Sequence, residues 1–450
     1  MITAREMAVS ILQQLPAGRE TLDQFLADSE PRINQLNRPD RALFHALVYG
    51  TLRHQSQLDQ IIDQHVRRSS KKIDPLVRLM LRIGVFQIRF MDRIPESAAV
   101  NATVELAKRL DRKWATGFVN GLLRNVARDD TPPPLPHRED DPVGFLAASQ
   151  SFPPWIIRRW LKRWDFGHTE AMCRAINTIP PLTIRANTLK APRDTLIQSI
   201  SDHNGRLEPC AFSPDGVHAT ALHRSLGQWE AFQQGLFQVQ GEAAQLVSLL
   251  ADPRPGQIVW DACAGLGTKT GHLAQLMHNR GAILATDRHP GKLKRLKEEM
   301  ARLGIDIVQT RPMDLLSNGN DLDAGPFDRI LLDAPCSGLG VLQRNPDGKW
   351  NTTMDDLRRN QLRQEALIHK AGSRLKPGGI LVYAVCSLEP EENETIIHGF
   401  LQKHPEFDIF SSDSAVPAID RILLTPEGFL KTLPHPHGMD GFFAAALTRR

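Results

Sequence analysis

The sequence predicts a multidomain protein, in which an all-α N-terminal domain and a small α+β linker subdomain precede an α/β domain with a doubly wound parallel sheet. Three observations predict this. Apolar residues recur at helical spacing up to about residue 130, a proline-rich segment follows, and beyond residue 235 apolar strand-like runs alternate with helical segments. The predicted boundaries are 1–130 for the helical domain, 131–150 for the linker, 151–235 for the subdomain and 236–450 for the α/β domain.

The first 130 residues carry three clear amphipathic stripes. Each stripe places apolar residues on one face of a helix, and prolines fall between the stripes rather than inside them. This pattern predicts a compact helical bundle. The stripes are Ala8, Ile11, Leu12 and Leu15; Leu58, Ile61, Ile62 and Val66; and Val77, Met80, Leu81 and Val85.

The next hundred residues differ in composition. Four prolines in five positions open the segment 131–150, which predicts a semi-rigid extended linker. Basic and aromatic residues then interleave around Trp155 and Trp160. That pattern suits a nucleic-acid surface, or equally an amphipathic helix with both tryptophans packed inward. A predicted strand at 182–187 and a predicted helix at 194–201 complete a small α+β module.

The charge of the chain is mildly positive and unevenly spread. Hydrophobic residues make up 41% and charged residues 24% of the chain, as in ordinary folded soluble proteins. The formal net charge is +4 and the isoelectric point is about 8.8. Residues 1–130 contain 20 Lys and Arg against 15 Asp and Glu. This excess could meet phosphates, although a solvated helical surface would have the same composition.

The cysteines lie far apart, without the paired spacing of zinc sites or a disulfide framework, so we predict no metal site. Free thiols fit a reducing cytoplasm. The first residues lack the hydrophobic region of a signal peptide, and no apolar run approaches the roughly 18 residues of a membrane helix. We therefore expect a cytoplasmic protein with no membrane partner. The five cysteines are Cys173, Cys210, Cys263, Cys336 and Cys386.

The C-terminal domain reads as alternating strands and helices. Short continuous apolar runs favour strands of a buried parallel sheet with helices on both faces. A helix is expected from about residue 354 to 375, ending at Lys376-Pro377-Gly378-Gly379, and the tail at 441–447 is a plausible last strand. The five other predicted strands are 258–260, 282–286, 305–308, 330–332 and 379–385.

A glycine-rich loop after the first of these strands suggests a cofactor site. In open α/β sheets, ligands bind beyond the carboxyl ends of the strands. Asp287 ends the next strand at a spacing that suits a carboxylate holding ribose hydroxyls, and Asp314 follows the third strand. NAD is a rival ligand, but Thr270 occupies the last glycine position of the dinucleotide fingerprint. An adenosyl ligand without pyrophosphate fits better, unless Asp287 merely caps the next helix and Asp314 lies in a solvated loop.

Two further loops carry the candidate chemistry. Cys336 lies in Asp333-Ala334-Pro335-Cys336-Ser337 after the fourth strand, and Cys386 follows the fifth. Adjacent strands would bring both cysteines to one rim. One buried cysteine is usually a packing residue. Two at equivalent strand ends, with Asp333 three residues before one of them, point to catalysis.

One reaction that requires a thiolate is the methylation of cytosine at C5. C5 is too poor a nucleophile to take a methyl group directly, but addition of a thiolate to C6 makes C5 enamine-like. The thiol needs a lowered pKa. An acid near N3 stabilises the adduct, and Asp333 suits this role if it carries or shares a proton. A second cysteine can assist the release of the product.

At these residues the chain resembles the bacterial ribosomal small-subunit RNA cytosine-C5 methyltransferases of the RsmB, Sun or Fmu family. The resemblance covers nearly the whole length. The most specific motifs are 333–340, Arg344-Asn345-Pro346-Asp347, and Cys386-Ser387 followed by Pro390-Glu391-Glu392-Asn393. Residues 43–50 and 119–124 resemble the RNA-binding fold of the antitermination factor NusB. The resemblance thus implies a NusB-like N-terminal domain and a Rossmann-like class I methyltransferase domain.

The family implies a role for each cysteine: Cys386 is the nucleophile and Cys336 promotes product release. It also implies that Met439-Asp440-Gly441-Phe442-Phe443 lies near the active site, that the cofactor is S-adenosyl-L-methionine, and that the substrate is 16S ribosomal RNA, bound by a monomer. The implied cofactor contacts come from Cys263, Ala264, Gly265, Leu266, Gly267, Thr268, Lys269, Asp287, Asp314 and Asp333.

Two segments depart from the family pattern. The family loop C-A-A-P-G-G-K is here Cys263 to Lys269, C-A-G-L-G-T-K, which bears on cofactor affinity rather than on reaction type. The segment V-Q-D-A-S-A-Q is here V-Q-G-E-A-A-Q, with its acid displaced to Glu242. One alternative function is a non-catalytic RNA-binding assembly factor with an impaired cofactor loop. Another is a DNA cytosine methyltransferase, which would need neither Cys386 nor a helical RNA-binding module.

Overall fold

The computed structural model describes residues 2–15, 21–66, 73–200, 205–220, 226–317, 325–410 and 419–450. Contacts divide the chain into two compact units. The first unit comprises Met1–Ile179 and Leu342–Thr352, and the second comprises Pro180–Val341 and Thr353–Arg450. The domain boundaries drawn from the sequence remain predictions.

The first unit is helical wherever it is described as regular structure, as the sequence predicts. Residues of all three apolar stripes are buried in one core, including Leu12, Leu58 and Met80. The helices are α1 (Ala4–Gln14), α2 (Leu22–Asp28), α3 (Glu30–Ile33), α4 (Arg38–Arg53), α5 (Gln55–Gln64), α6 (Pro75–Phe90), α7 (Glu96–Arg109), α8 (Thr116–Arg128), α9 (Pro142–Gln150), α10 (Pro154–Leu161), α11 (Phe166–Asn177) and the short α17 (Gly348–Asn351).

The helix starts follow ordinary capping chemistry. The Thr3 side chain accepts from the backbone of Glu6 in a capping box at the start of α1, and Asp74 caps α6 ahead of Pro75. In α10, Trp160 is fully buried and Trp155 is half-buried. The inward-packing interpretation therefore holds for Trp160.

The segment Leu342–Thr352 explains the motif Arg344-Asn345-Pro346-Asp347. It leaves the α/β part of the chain and packs within the helical unit. The carboxylate of Asp347 accepts from the backbone N–H of Leu22 at 3.1 Å. The fully buried ammonium of Lys349 donates to the Arg53 and Ser151 carbonyls and to the Asn177 side chain. Burial of this charge is offset by three acceptors, so the segment is anchored there.

The second unit contains two sheets. The smaller sheet is antiparallel, with strand order β2-β3-β1-β4, and packs with α12 (Arg193–Ile200) and α13 (Glu230–Gln233). Its predicted strand and helix are both present, although residue 201 lies outside the described residues. The strands are β1 (Leu182–Ala186), β2 (Arg206–Pro209), β3 (Gly216–Thr220) and β4 (Phe237–Val239).

The larger sheet has the order β10-β12-β9-β8-β5-β6-β7, with β11 paired to β12. Strands β5 to β9 are mutually parallel, whereas β12 runs antiparallel to β9, β10 and β11. The strands are β5 (Ile258–Asp261), β6 (Ala282–Asp287), β7 (Val308–Pro312), β8 (Phe327–Asp333), β9 (Leu375–Val385), β10 (Phe407–Ile409), β11 (Leu430–Thr432) and β12 (Phe442–Arg449).

Helices cover both faces of this sheet, so it is doubly wound as predicted. Alternate residues of one strand enter opposite cores: Leu331 packs with one helix layer, and Ile330 and Leu332 pack with the other. The first layer holds α14 (Glu242–Leu250), α15 (Thr268–Leu276) and α16 (Pro290–Leu303); the second holds α18 (Met354–Gly372) and α19 (Glu394–Lys403). Among the described residues, no helix combines the length and apolarity needed to cross a bilayer.

Two predicted boundaries are wrong, and the predicted linker 131–150 is not extended throughout, because α9 covers Pro142–Gln150. The predicted strand 305–308 is displaced, because Ile305 closes α16 instead: its N–H bonds to the carbonyl of Met300 after the left-handed Gly304. The sequence Lys376-Pro377-Gly378-Gly379 does not end the preceding helix but lies inside β9, where Gly378 has φ +73° and the register with β8 shifts. A local irregularity in a strand there resembles a helix stop in sequence.

Candidate active site

The carboxyl edge of the parallel strands brings the predicted site residues together. Asp261 ends β5, Asp287 ends β6, Asp333 ends β8, and Cys386 follows β9 directly. A cleft of about 290 Å³ opens along this edge, near the lower end of the roughly 300–1,000 Å³ common for small-ligand pockets. Its lining includes Cys263, Gly265, Asp287, Asp314, Asp333, Cys336 and Cys386.

The two cysteine sulfurs are in contact. The Sγ atoms of Cys336 and Cys386 lie 3.1 Å apart and share a hydrogen bond, although the residues are 50 positions apart in the chain. The hydrogen bond with Cys386, together with burial, raises the pKa of the Cys336 thiol well above its ordinary value. The two thiols are therefore held in direct contact, and either sulfur can donate to the other.

A buried carboxylate, Glu392, joins the two cysteine loops from behind. Its Oε1 accepts from the Ser337 backbone N–H at 2.8 Å and from the Gln364 amide at 3.2 Å. Its Oε2 accepts from the hydroxyls of Ser337, at 2.5 Å, and of Ser387. Ser337 and Ser387 directly follow Cys336 and Cys386. Glu392 thus fixes the distance between the sulfurs through their chain neighbours.

Backbone contacts close the other side of the cysteine pair. The N–H of Gly340 donates to the Cys386 carbonyl at 3.0 Å, and the Gly340 carbonyl accepts from Gly441 at 2.7 Å. A Cβ at position 340 would lie 1.8 Å from the Gly441 carbonyl oxygen, so only glycine fits there. The segment 439–443 therefore lies beside the cysteines, where the family resemblance expects it.

The side chain of Lys269 lies beside Asp333 and is not part of the cleft lining. Its ammonium lies 2.6 Å from the Asp333 carboxylate and 5.3 Å from the centre of the Phe442 ring. Burial alone would lower the pKa of Lys269, but Asp333 and the nearby Cys386 sulfur raise it above its ordinary value. A fixed positive charge thus lies beside Asp333 and near the Cys386 sulfur.

The glycine loop owes its shape to backbone bonds. Ala264 donates to the Thr286 carbonyl at 2.9 Å, and Gly265 donates to the Asp287 carboxylate at 3.1 Å. Gly267 has φ +82°, and a Cβ there would lie 2.4 Å from a Leu296 side-chain carbon. Leu266 is 42% exposed. At Leu266, where the loop departs from the family pattern, the side chain therefore contributes little packing.

The two acids predicted to bind the cofactor, Asp287 and Asp314, differ in burial and in hydrogen-bond partners. Asp287 is half-buried, and its second oxygen accepts from the His289 backbone N–H at 2.8 Å. The helix that follows is capped at His289, so Asp287 is not its cap residue. Asp314 is exposed on the cleft and accepts from the Leu316 backbone N–H at 3.0 Å. A carboxylate has about four acceptor sites, so Asp287 can still accept ligand hydroxyls.

A second buried carboxylate, Asp261, lies beneath the glycine loop. One oxygen accepts from the Thr270 hydroxyl at 2.6 Å, and the other has no hydrogen-bond partner among the described residues. Burial raises the pKa of Asp261 to about 7, with the carboxylates of Asp333 and Asp287 adding to the effect. Burial likewise raises the pKa of Cys263, so this thiol stays protonated.

The structure thus gathers the predicted site residues along one edge. Sequence reasoning missed the role of Glu392, which stands in the motif Pro390-Glu391-Glu392-Asn393 without a sign of which acid is buried. The ammonium of Lys269, a predicted cofactor contact, donates to Asp333, another predicted contact. Acidic residues five or six positions after a strand-end cysteine are the signal that could have identified Glu392.

Family models match three parts of the chain. Residues 2–128 match the NusB family, residues 152–222 match the RsmF/B-like methyltransferase ferredoxin-like domain, and residues 248–448 match the 16S rRNA methyltransferase RsmB/F family. The first match covers the helical part of the structure, the second covers α10, α11 and most of the smaller sheet, and the third covers the α/β part.

Whole-length relatives give the same result. The probable ribosomal RNA small subunit methyltransferase B of Bacillus subtilis is 34% identical over 100% of this chain and 99% of its own. The corresponding Synechocystis protein is 35% identical over 100% of both chains. The crystal structure of PH0851 superposes with a TM-score of 0.81 at 26% identity, over 100% of this chain and 99% of that one. The chain therefore belongs to the ribosomal RNA small subunit methyltransferase B family.

Proposed function

We propose that this protein is an S-adenosylmethionine-dependent methyltransferase that methylates C5 of a cytosine in 16S ribosomal RNA through a covalent adduct with Cys386. The observation that carries the proposal is the pair of sulfurs 3.1 Å apart at the ends of adjacent strands. A packing role would not require both thiols to line a cleft beside a lysine–aspartate pair.

The residues present fit an adenosyl cofactor. The open backbone of Gly265 lets a ligand approach closely, because no atom lies within 4 Å of a Cβ built there. Asp287 is suited to hold the ribose hydroxyls, and Asp314 to accept from an adenine amino group. S-adenosylmethionine, when bound, would supply the methyl group that C5 of the adduct accepts.

Cys386 is suited to the attack. As a thiolate it adds to C6, so that a C–S bond forms and the electron pair of the ring double bond moves toward C5 and N3. Lys269 favours the thiolate electrostatically, and Cys336 stabilises it by donating its S–H. Of the two sulfurs, that of Cys386 interacts with the Lys269 charge, which favours Cys386 as the attacking group.

Asp333 and Lys269 handle the charge at the ring nitrogen. The Lys269 ammonium donates to Asp333, which orients its remaining N–H groups beside the carboxyl edge of the sheet. Such a pair can supply the hydrogen bond that N3 needs as the adduct forms.

Release reverses the addition. The C5 proton leaves to water, its electron pair restores the C5–C6 double bond, and the C6–S bond breaks to return a Cys386 thiolate. The S–H of Cys336 then stabilises the departing sulfur. The substrate is assigned to RNA because the helical N-terminal part carries the excess of Lys and Arg and matches the NusB family.

The test is a methylation assay with the full-length protein, S-adenosylmethionine and 16S RNA, read as 5-methylcytosine by nucleoside mass spectrometry. We expect the wild type to form this product and Cys386→Ala to lose activity by about four orders of magnitude, since it lacks the nucleophile. Cys173→Ala, which removes a buried thiol far from the cleft in sequence, serves as the matched control and should remain active. Full activity of Cys386→Ala, or methylation of duplex DNA instead, would overturn the proposal.

A further inference from the structure

A second cluster of ligating side chains lies outside the cleft. Cys210 follows β2, His218 lies in β3, and Glu242 is the first residue of α14. Their donor atoms all lie within 4.8 Å of one another, and His218 Nε2 is 3.8 Å from Glu242 Oε2. Cys210 and Glu242 are buried, while the His218 side chain is 27% exposed. One sulfur, one nitrogen and one oxygen therefore converge at a site with access to solvent.

Each side chain is oriented by a partner outside the cluster. Glu242 Oε1 accepts from the backbone N–H groups of Phe212 and Ser213, at 2.6 and 2.9 Å, which turns Oε2 toward His218. The Thr183 hydroxyl lies 3.3 Å from His218 Nδ1, which leaves Nε2 facing the cluster. Outer partners of this kind orient the ligands of metal sites.

The hairpin also makes room for the sulfur. A Cβ at Gly216 would lie 2.8 Å from Cys210 Sγ, so a larger residue would displace the thiol. Gly216 also accepts the backbone N–H of Cys210 at 2.9 Å, which fixes the sulfur against β3. The placement of the thiol is therefore built into the strand pairing.

We infer that Cys210, His218 and Glu242 form a Zn²⁺ site with one position open to water. Metal–ligand lengths of about 2.0–2.3 Å put tetrahedral donor atoms roughly 3.3–3.7 Å apart, so the 3.8 Å pair already matches and the widest pair must close by about 1 Å. A mixed sulfur, nitrogen and oxygen set suits zinc. Bound zinc would link the β2–β3 hairpin of the small sheet to the first helix of the larger one.

The experiment uses the full-length protein, stripped of metal and titrated with Co²⁺ and then Zn²⁺. We expect one equivalent of Co²⁺ to give a sulfur-to-cobalt charge-transfer band that Zn²⁺ abolishes, and a Tm that rises with zinc concentration. Cys210→Ser should lose the band. His218→Gln should weaken zinc binding more than about 100-fold, while keeping its far-ultraviolet circular dichroism and metal-free Tm.

A double variant separates this site from the sulfurs of the cleft. Cys336→Ser/Cys386→Ser should keep the cobalt band, and so should the control Cys173→Ser. Absence of a band in the wild type, its survival in Cys210→Ser, or its loss in the double variant would each overturn the inference. Unchanged zinc affinity in a folded His218→Gln would show that His218 and Glu242 form only an ion pair, and would overturn it as well.

Discussion

The cysteine pair and the glycine loop each lie against a fully buried carboxylate. The two carboxylates differ in the number of hydrogen bonds that they accept. Glu392, behind the cysteines, accepts from one backbone N–H, one amide and two hydroxyls. Asp261, beneath the glycine loop, accepts from Thr270 alone among the described residues. Four donors replace the water that the Glu392 oxygens lose on burial, whereas a buried carboxylate with a single donor favours its neutral form.

The difference follows from what each region must hold. The cysteine loops follow two separate strands and need a rigid connection, because the proposed chemistry requires a constant separation between the two sulfurs. The glycine loop holds its own shape through backbone bonds to β6, so the carboxylate below it need not be charged. The same isosteric change, carboxylate to amide, should therefore have opposite consequences in the two regions.

Glu392→Gln should have the larger effect. Glutamine keeps one acceptor oxygen for the two N–H donors but turns an NH₂ group toward the Ser337 and Ser387 hydroxyls. Their hydrogen bonds to a charged acceptor, worth about 1.5–3 kcal/mol each, are lost. We expect the free energy of unfolding to fall by about 2–5 kcal/mol and kcat to fall roughly 100-fold, while KM for S-adenosylmethionine changes less than about threefold. Denaturant titration and steady-state kinetics measure these quantities.

Glu394→Gln is the matched control, since Glu394 makes only a partly exposed ion pair with Lys431 and should cost less than about 1 kcal/mol. If Glu392→Gln instead raised KM for the cofactor and left kcat unchanged, Glu392 would not be the group that positions the cysteines.

Asp261→Asn should stabilise the protein increasingly as the pH rises. With a native pKa of about 7 and an ordinary value of 3.8, the folded protein binds more protons than the unfolded chain between these pH values. Wild-type stability therefore falls as the pH rises through this window. Asparagine keeps the bond from Thr270 without this cost, so at pH values above about 8 the variant should be more stable by about 2–4 kcal/mol.

The check is thermal or denaturant unfolding of both proteins at pH 5 and at pH 8.5. Near pH 5 the variant should be more stable by only about 1.5 kcal/mol, because Asp261 is then protonated in the folded protein but already largely ionised in the unfolded chain. An equal difference at both pH values would show that Asp261 is ionised throughout and would remove the contrast with Glu392.

Asp287→Asn should have the smallest effect of the three changes. This effect should be limited to the binding of S-adenosylmethionine. Loss of one charged acceptor on the ribose side is worth about 1.5–2 kcal/mol, so KM for S-adenosylmethionine should rise about 10- to 30-fold with kcat within about threefold. Asp306→Asn, an exposed acid before β7, is the control. A large drop in kcat with unchanged KM would place Asp287 in the chemistry instead.

The sequence predicted the fold and the rim of the site because both depend on local patterns. Apolar stripes marked the helices of the N-terminal part, and each candidate residue stood at the end of an apolar strand. The pairing of Ser337, Ser387 and Glu392 could not be predicted, because it depends on contacts between loops 50 residues apart.

The displaced third strand and the strand irregularity at Gly378 were missed because their local sequence signals are ambiguous. Ile305 and Pro377-Gly378 carry local signals that a helix end and a strand irregularity share with other structures, and only the tertiary context decides between them. The Cys210, His218 and Glu242 cluster escaped because its members lie on three elements without the short spacing of known zinc motifs.

The most direct test of the central claim is to trap the adduct. Cys336→Ala, incubated with S-adenosylmethionine and 16S RNA, should accumulate a protein–RNA species that survives a denaturing gel, because release loses the thiol that stabilises the departing sulfur. Digestion and mass spectrometry should locate the nucleotide on Cys386, and Cys336→Ala/Cys386→Ala should form no adduct. A nucleotide found on another residue, or an adduct that persists in the double variant, would contradict the account.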